Sequence, residues 1–124
     1  MTNVIIWGPV RSGRSWLAKR IKKEFGRKVG TILVVDELLI DEDSKFKLAK
    51  EFLIVSMGFA EITPEEEFKR PDNKDSLERL EKLCEASKHV KTMAEKLGLR
   101  FFDVSFTRGE QANEEILAYV KKNI

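Results

Sequence analysis

The stretch Val4–Ile21 reads "VIIWGPVRSGRSWLAKRI", and its two halves follow different periods. Val4 to Trp7 is a continuous apolar run stopped by Gly8-Pro9, which fits a short strand buried in a parallel sheet. From Ser15 onward Leu17, Ile21 and Phe25 recur at every fourth position, with Ala18 beside them and charges opposite. That is an amphipathic helix, ended near Gly26. Between strand and helix, Gly8 and Gly13 bracket four residues (Pro9, Val10, Arg11, Ser12), and a basic residue, Arg14, and a hydroxyl, Ser15, follow. Gly, four residues, Gly, basic, hydroxyl is the spacing of a phosphate-binding turn.

The rest of the chain repeats the alternation. "TILVVDELLI" (31–40) is a second strand, β-branched and apolar on both faces, that reaches acids at Asp36 and Glu37. A short helical piece is expected at 44–50, then a third strand, "FLIVSMGF" (52–59). In "TPEEEFKR" Thr63 can cap a helix, Pro64 suits its first position and Glu66 completes a capping box. A long helix is expected over 75–97, with Leu77, Leu80, Cys84, Val90, Met93 or Ala94, and Leu97 buried and Gly98 ending it. "LRFFDVSF" (99–106) reads as a fourth strand. Thr107 to Glu110 is a second capping-box pattern, before a closing helix with Ala112, Ile116, Val120 and Ile124 on one face. Strands separated by helices predict an α/β fold: a three-layer α/β/α domain spanning 1–124, with a mainly parallel sheet of four or five strands.

Composition narrows the class. The chain has 124 residues, 42% hydrophobic and 35% charged, which fits one globular domain. Its formal net charge of +2 does not by itself imply a nucleic-acid or membrane partner. The charge is unevenly spread. Residues 11–28 hold eight basic side chains and one acid, Glu24, whereas 36–43 hold five acids and no base. The single cysteine, Cys84, cannot form an internal disulfide, so a reducing cytoplasm is expected. One Cys and one His supply no metal cluster, and the run ending at Trp7 is too short for a membrane span.

A phosphate-binding turn needs successive backbone N–H groups pointing into one concavity, and a following helix adds its positive end. Glycines permit both the dihedrals and the close approach of the anion. A basic side chain then reaches the outer phosphates, and the adjacent hydroxyl can coordinate Mg²⁺. The relaxed pattern arises by chance in roughly one chain of this length per hundred, and less often with a strand before it and a helix after it. Arginine in place of the usual lysine keeps the charge but alters its position, because a planar fork needs more room than a compact ammonium. Nucleotide binding is thereby favoured over fast phosphoryl transfer, which rests on accurately placed charge.

These residues resemble the opening of P-loop nucleoside and nucleotide kinases such as adenylate kinase, which read strand, Gly-Pro-x-x-Ser-Gly-Lys-Ser/Thr, then a helix with Leu-Ala. "TPEEEFKR" is similar to the segment leading to the lid in those kinases, and 70–105 is similar to their final helix and strand. The resemblance implies Gly8, Pro9, Val10, Arg11, Ser12, Gly13, Arg14 and Ser15 around the phosphates, with Ser15 on the metal. It implies Arg70 and Arg79 as lid arginines beside the transferring phosphoryl group, and 107–109, with Arg108, near the base or ribose. The kinases carry lysine at the Arg14 position, a helical acceptor-binding insert, a larger lid and five strands.

Other readings compete for the same residues. "ILVVDE" matches a Walker B strand, whose Asp36 would hold Mg²⁺ and whose Glu37 would polarise a water; Asp36 could instead face an acceptor. The plain alternative is a strand ending in solvated acids. Arg70, Arg79 and Arg108 can equally be surface ion-pair partners of the many glutamates. His89 has no carboxylate or cysteine pairing in the sequence, and Cys84 reads as a small core residue. The basic run on the first helix could track a nucleic-acid backbone, with a base stacked on a partly exposed Trp16, but lysines routinely fill a solvated helix face. An ATPase acting on nucleic acid would need Glu37 and Lys19, Lys22 and Lys23.

The expectation is a minimal kinase-like domain that binds a purine nucleoside triphosphate, ATP or GTP, with Mg²⁺ on Ser15 and Asp36. Arg14, Asp36, Arg70 and Arg79 are the catalytic candidates, and a nucleoside or nucleotide is the expected acceptor. The alternative is a catalytically weak P-loop module whose output is regulation or assembly. Nucleic acid is not the favoured partner.

Overall fold

The computed structural model describes residues 1–9, 12–35, 51–59, 63–104 and 109–124. Four strands, β1 (Thr2–Trp7), β2 (Val29–Val35), β3 (Phe52–Gly58) and β4 (Phe101–Asp103), form one sheet in the order β2-β1-β3-β4. Every pairing is parallel. The helices are α1 (Arg14–Phe25), α2 (Pro64–Phe68), α3 (Leu77–Lys96) and α4 (Gly109–Asn123), and a 3₁₀ turn, Gly26–Lys28, joins α1 to β2.

β1 is apolar without alternation because both of its faces are covered. Val4 and Ile6 share a core with Leu17 and Ile21 of α1 and with Ala112, Ile116 and Val120 of α4. Ile5 and Trp7 point the other way and pack with Val90 and Ala94 of α3. Helices thus lie on both faces, an arrangement compatible with three α/β/α layers. Each fully buried Val or Ile contributes roughly 1.5–3 kcal/mol, so β1 anchors the domain.

β2 differs from its expected form. The sequence suggests a strand covered on both faces, yet Leu33 and Val34 keep 40% and 39% of their surface exposed. The reason is position: among the described residues β2 pairs only with β1, at the sheet's edge. The strand also starts earlier than expected, at Val29, while 36–40 lie outside the described residues. Its register slips by one residue between the Thr2↔Val29 and Val4↔Ile32 pairs. Asn3 accommodates the slip, its Oδ1 accepting the Thr31 N–H at 2.9 Å, and a side chain at Gly30 would collide with that oxygen.

The cap of α2 matches its sequence signature. Thr63 Oγ1 accepts the Glu66 N–H at 3.2 Å, and Glu66 Oε2 accepts the Thr63 N–H at 3.4 Å. Ser76 caps α3 by accepting the Arg79 N–H at 3.2 Å. At its other end Gly98, with φ of +71°, closes a Schellman turn: Leu99 N–H donates to Ala94 and Gly98 N–H to Glu95. The buried stripe of α3 is Leu80, Leu83, Ser87, Val90 and Ala94. Leu77 is exposed and Cys84 half-buried, contrary to expectation, while Ser87 is buried because Gly58 and Phe59 of the β3 end meet it. β4 is three residues: of the expected 99–106, residues 99, 100 and 104 fall outside the strand and 105–106 outside the described residues, although Val104 N–H still reaches the Gly58 carbonyl at 2.9 Å. The expected helical piece at 44–50 and the capping box beginning at Thr107 lie outside the described residues.

Candidate functional site

The strand order sets where a ligand can sit. The chain leaves β1 to build β2 on one side of it and then crosses to build β3 on the other. In doubly wound sheets the crevice outside the carboxyl ends of two such strands is the usual ligand site. The turn from β1 to α1 opens there.

Tight contacts hold that turn. Gly8 N–H donates to the Val35 carbonyl at 3.3 Å, and a Cβ on Gly8 would stand 2.6 Å from the Met57 carbonyl oxygen. Glycine is therefore required by the neighbouring backbone of β3. Ser12 is buried; its hydroxyl donates to the Pro9 carbonyl at 2.6 Å and its N–H to the same oxygen at 3.4 Å. Gly13 takes φ 85°, ψ 20°, a left-handed conformation that disfavours any side chain, and a Cβ there would meet nothing within 4 Å among the described residues. Its requirement for glycine is conformational rather than steric.

Gly13 is the N-cap of α1, with no side-chain cap and no acid in the first turn. The first N–H groups of a helix have no intrahelical partner, and the helix end carries about half a positive charge. Arg14 adds a full one. Its Nη1 donates to the Val35 carbonyl at 2.8 Å, so that one oxygen receives both Gly8 and Arg14. Gly13 and Ser15 are exposed, and Trp16 is 53% exposed. The arrangement can accept an anion on backbone N–H groups, with Ser15 beside it.

Of the residues singled out in the sequence, Gly8, Pro9, Ser12, Gly13, Arg14 and Ser15 come together here. Val10, Arg11, Asp36, Glu37 and Arg108 lie outside the described residues. Arg70 forms ion pairs with Glu67 at 2.6 Å and Asp72 at 2.8 Å. The hydrogen bond to Glu67 is the main cause that holds its guanidinium pKa above the usual value. Arg79 lies 3.4 Å from Asp75. Both arginines are engaged with carboxylates, Glu67 within α2 and Asp72 and Asp75 in the α2–α3 connection. His89 is exposed, and no cluster of three His, Cys, Asp or Glu that could hold a metal occurs among the described residues. Lys22 donates to the carbonyls of Val29 at 3.0 Å and Gly30 at 3.4 Å, which makes it a brace for β2.

Sequence reading missed the backbone partners of the turn, the carbonyls of Val35 and Met57, because a carbonyl carries no residue-type signal. It also passed over Ser56, the polar interruption in the third strand. Ser56 pairs with Trp7 across β1 and β3, and Ser56 Oγ and Trp7 Nε1 are both buried without a hydrogen-bond partner among the described residues.

Comparison with known proteins returns nothing: no family model, curated protein or solved structure matches the chain. No helix among the described residues is long and apolar enough to cross a membrane.

Proposed function

We propose that this chain is a nucleotide-binding protein whose β1–α1 turn receives the phosphates of ATP or GTP together with Mg²⁺. The observation that carries the reading is the bare N-terminus of α1, behind a left-handed Gly13 and beside Arg14, at the carboxyl edge of β1. The residues present fit a phosphate: N–H donors without a cap, a cation, and no carboxylate in the first turn to compete. They also fit Mg²⁺, which keeps several waters and takes one or two protein ligands beside the phosphates. Ser15 would be one such ligand, and Asp36, one peptide bond beyond Val35, the other. Bound Mg²⁺ would supply charge neutralisation between phosphate oxygens.

In this reading the loop 8–13 cradles the phosphates and Ser12 keeps the loop closed through Pro9. Arg14 has five donors, of which Nη1 holds Val35, so other N–H groups of its fork can face a phosphate oxygen. A cation tied to the sheet in this way is a fixed neutraliser rather than a group that follows a moving phosphoryl. That favours the binding-module reading, with a regulatory or assembly output, over rapid kinase chemistry. Transfer to a small acceptor, a nucleoside or nucleotide, with Arg70 and Arg79 beside the phosphoryl, is the catalytic form of the same proposal. Either form belongs in a reducing, nucleotide-rich compartment, the cytoplasm.

Calorimetric titration of ATP and GTP, with and without Mg²⁺, tests the site. Mg-nucleotide binding should weaken roughly tenfold in Ser15→Ala, a loss of about 1.4 kcal/mol, while metal-free nucleotide should bind the variant unchanged. Failure of every triphosphate to bind overturns the reading. Binding without turnover over all nucleoside, nucleotide and small-alcohol acceptors would leave the module and remove the kinase.

A further inference from the structure

We propose that the solvent face of α1 is a docking surface for single-stranded nucleic acid, with Trp16 stacking a base and Lys19, Lys23, Arg27 and Lys28 contacting the backbone. The proposal is independent of the nucleotide site. A basic amphipathic helix is by itself ordinary, since lysines suit any solvated face. The structure, however, separates the cations that have intramolecular work from those that do not. Lys22 braces β2, and Arg20 lies 3.4 Å from Glu24, the only acid between residues 11 and 28. Lys19, Lys23, Arg27 and Lys28 are exposed and make no ion pair among the described residues.

These free cations are arranged around an indole. At 100° per residue, Trp16, Lys19 and Lys23 fall within an arc of about 60° opposite the buried Leu17 and Ile21. Arg27 and Lys28 follow at once in the 3₁₀ turn beyond the C-terminus of α1. The row ends at an open cleft of about 670 Å³ where Arg27 and Lys28 are joined by Lys121 of α4, with Glu24, Phe25 and Ile124 also on its walls. A solvated face has no need of an exposed tryptophan. An aromatic platform beside a basic track is what binds an unpaired strand, because every base has a face to stack and every phosphate a charge to match.

Two other polyanions fit less well. A duplex keeps its base faces stacked on one another and has none to offer the indole. A lipid surface takes a helix by its apolar face, and that face of α1 is already in the core, with Ala18 and Phe25 packed against it.

The full chain is titrated into a fluorescein-labelled single strand of about 15 nucleotides, as DNA and as RNA, with the matching duplex and phosphatidylserine vesicles as competitors. The single strand should bind, with a log–log salt slope near −3 for four contacts, at about −0.7 each. The double variant Lys19→Ala, Lys23→Ala should cut that slope by about half. Trp16→Ala should weaken binding by roughly 5- to 150-fold at an unchanged slope, with the circular dichroism of the folded parent retained. Absence of strand binding, equal or tighter binding of duplex or vesicles, or indifference to Trp16→Ala overturns the proposal. Each of these leaves the triphosphate titration untouched.

Discussion

The N-termini of α1 and α2 solve one physical problem in opposite ways. Both begin with N–H groups that the helix cannot satisfy. α2 meets them with a reciprocal Thr63–Glu66 box, Pro64 at its first position, and Glu65, Glu66 and Glu67 against the positive end. α1 has a left-handed glycine, an arginine next to it and no acid in the first turn. The same sequence caps α3 with Ser76 and places Glu78 in its first turn. A side-chain cap is worth about 1 kcal/mol and a first-turn acid about half that. Forgoing both at α1, and adding a cation, leaves that end without a negative partner among the described residues.

The largest break in this contrast should come from the floor of the turn. Gly8→Ala forces a methyl against the Met57 carbonyl, and urea unfolding should report a loss of about 2–3 kcal/mol. Gly13→Ala meets no described atom within 4 Å and is opposed by its left-handed backbone, so the loss should be about 1–2 kcal/mol. If Gly13→Ala proved the costlier of the two, the steric account of Gly8 would be wrong. Thr63→Ala should cost about 1 kcal/mol by the same measurement, and triphosphate binding should not change.

Giving α1 the chemistry of α2 is the sharper test. Ser15→Asp should raise stability by about 0.5 kcal/mol in the absence of ligand, yet abolish triphosphate binding in calorimetry. A variant that is more stable and still binds would detach the bare helix end from function. The smallest effect concerns Cys84 on α3, whose thiol is pushed up mainly by burial, with further contributions from Glu67 and Glu65 of α2 and an opposing one from Lys88. Because the folded thiol holds its proton longer than the unfolded one, stability is intact below the unfolded thiol pKa and declines as pH rises through the folded value. Glu65→Gln should shift the ultraviolet thiolate titration slightly downward, and a large shift would mean that charge, not burial, dominates.

What could be read from the sequence, and what could not, follows from range. β1 and α1 were visible because an apolar run and a fourfold repeat are local patterns, and the capping box of α2 because its partners sit three residues apart. The buried face of α3 was only partly visible. Ser87 interrupts the apolar stripe, and it is buried for a reason that lies 28 residues away, where its hydroxyl accepts the Phe59 N–H at 2.9 Å. The exposure of Leu33 and Val34 was hidden for a similar reason, since a strand's composition does not say whether it will be central or an edge. At the site, the glycine spacing was plain, but the anchoring of Arg14 joins residues 21 apart through a main-chain oxygen. The grouping of lysines by occupation likewise appeared only once Lys22 was seen to reach back to β2.

The carbonyl of Val35 joins three pieces of chain: its own strand, the start of the turn through Gly8, and the first residue of α1 through Arg14. An oxygen with two donors is a mechanical node, and its carbon is a built-in gauge of the load. If an anion draws the guanidinium forward, the carbonyl loses one of its two donors and its ¹³C resonance moves upfield, while Gly8 N–H stays in place. A single isotope label at this peptide group would therefore report whether Arg14 is a fixed post or a latch.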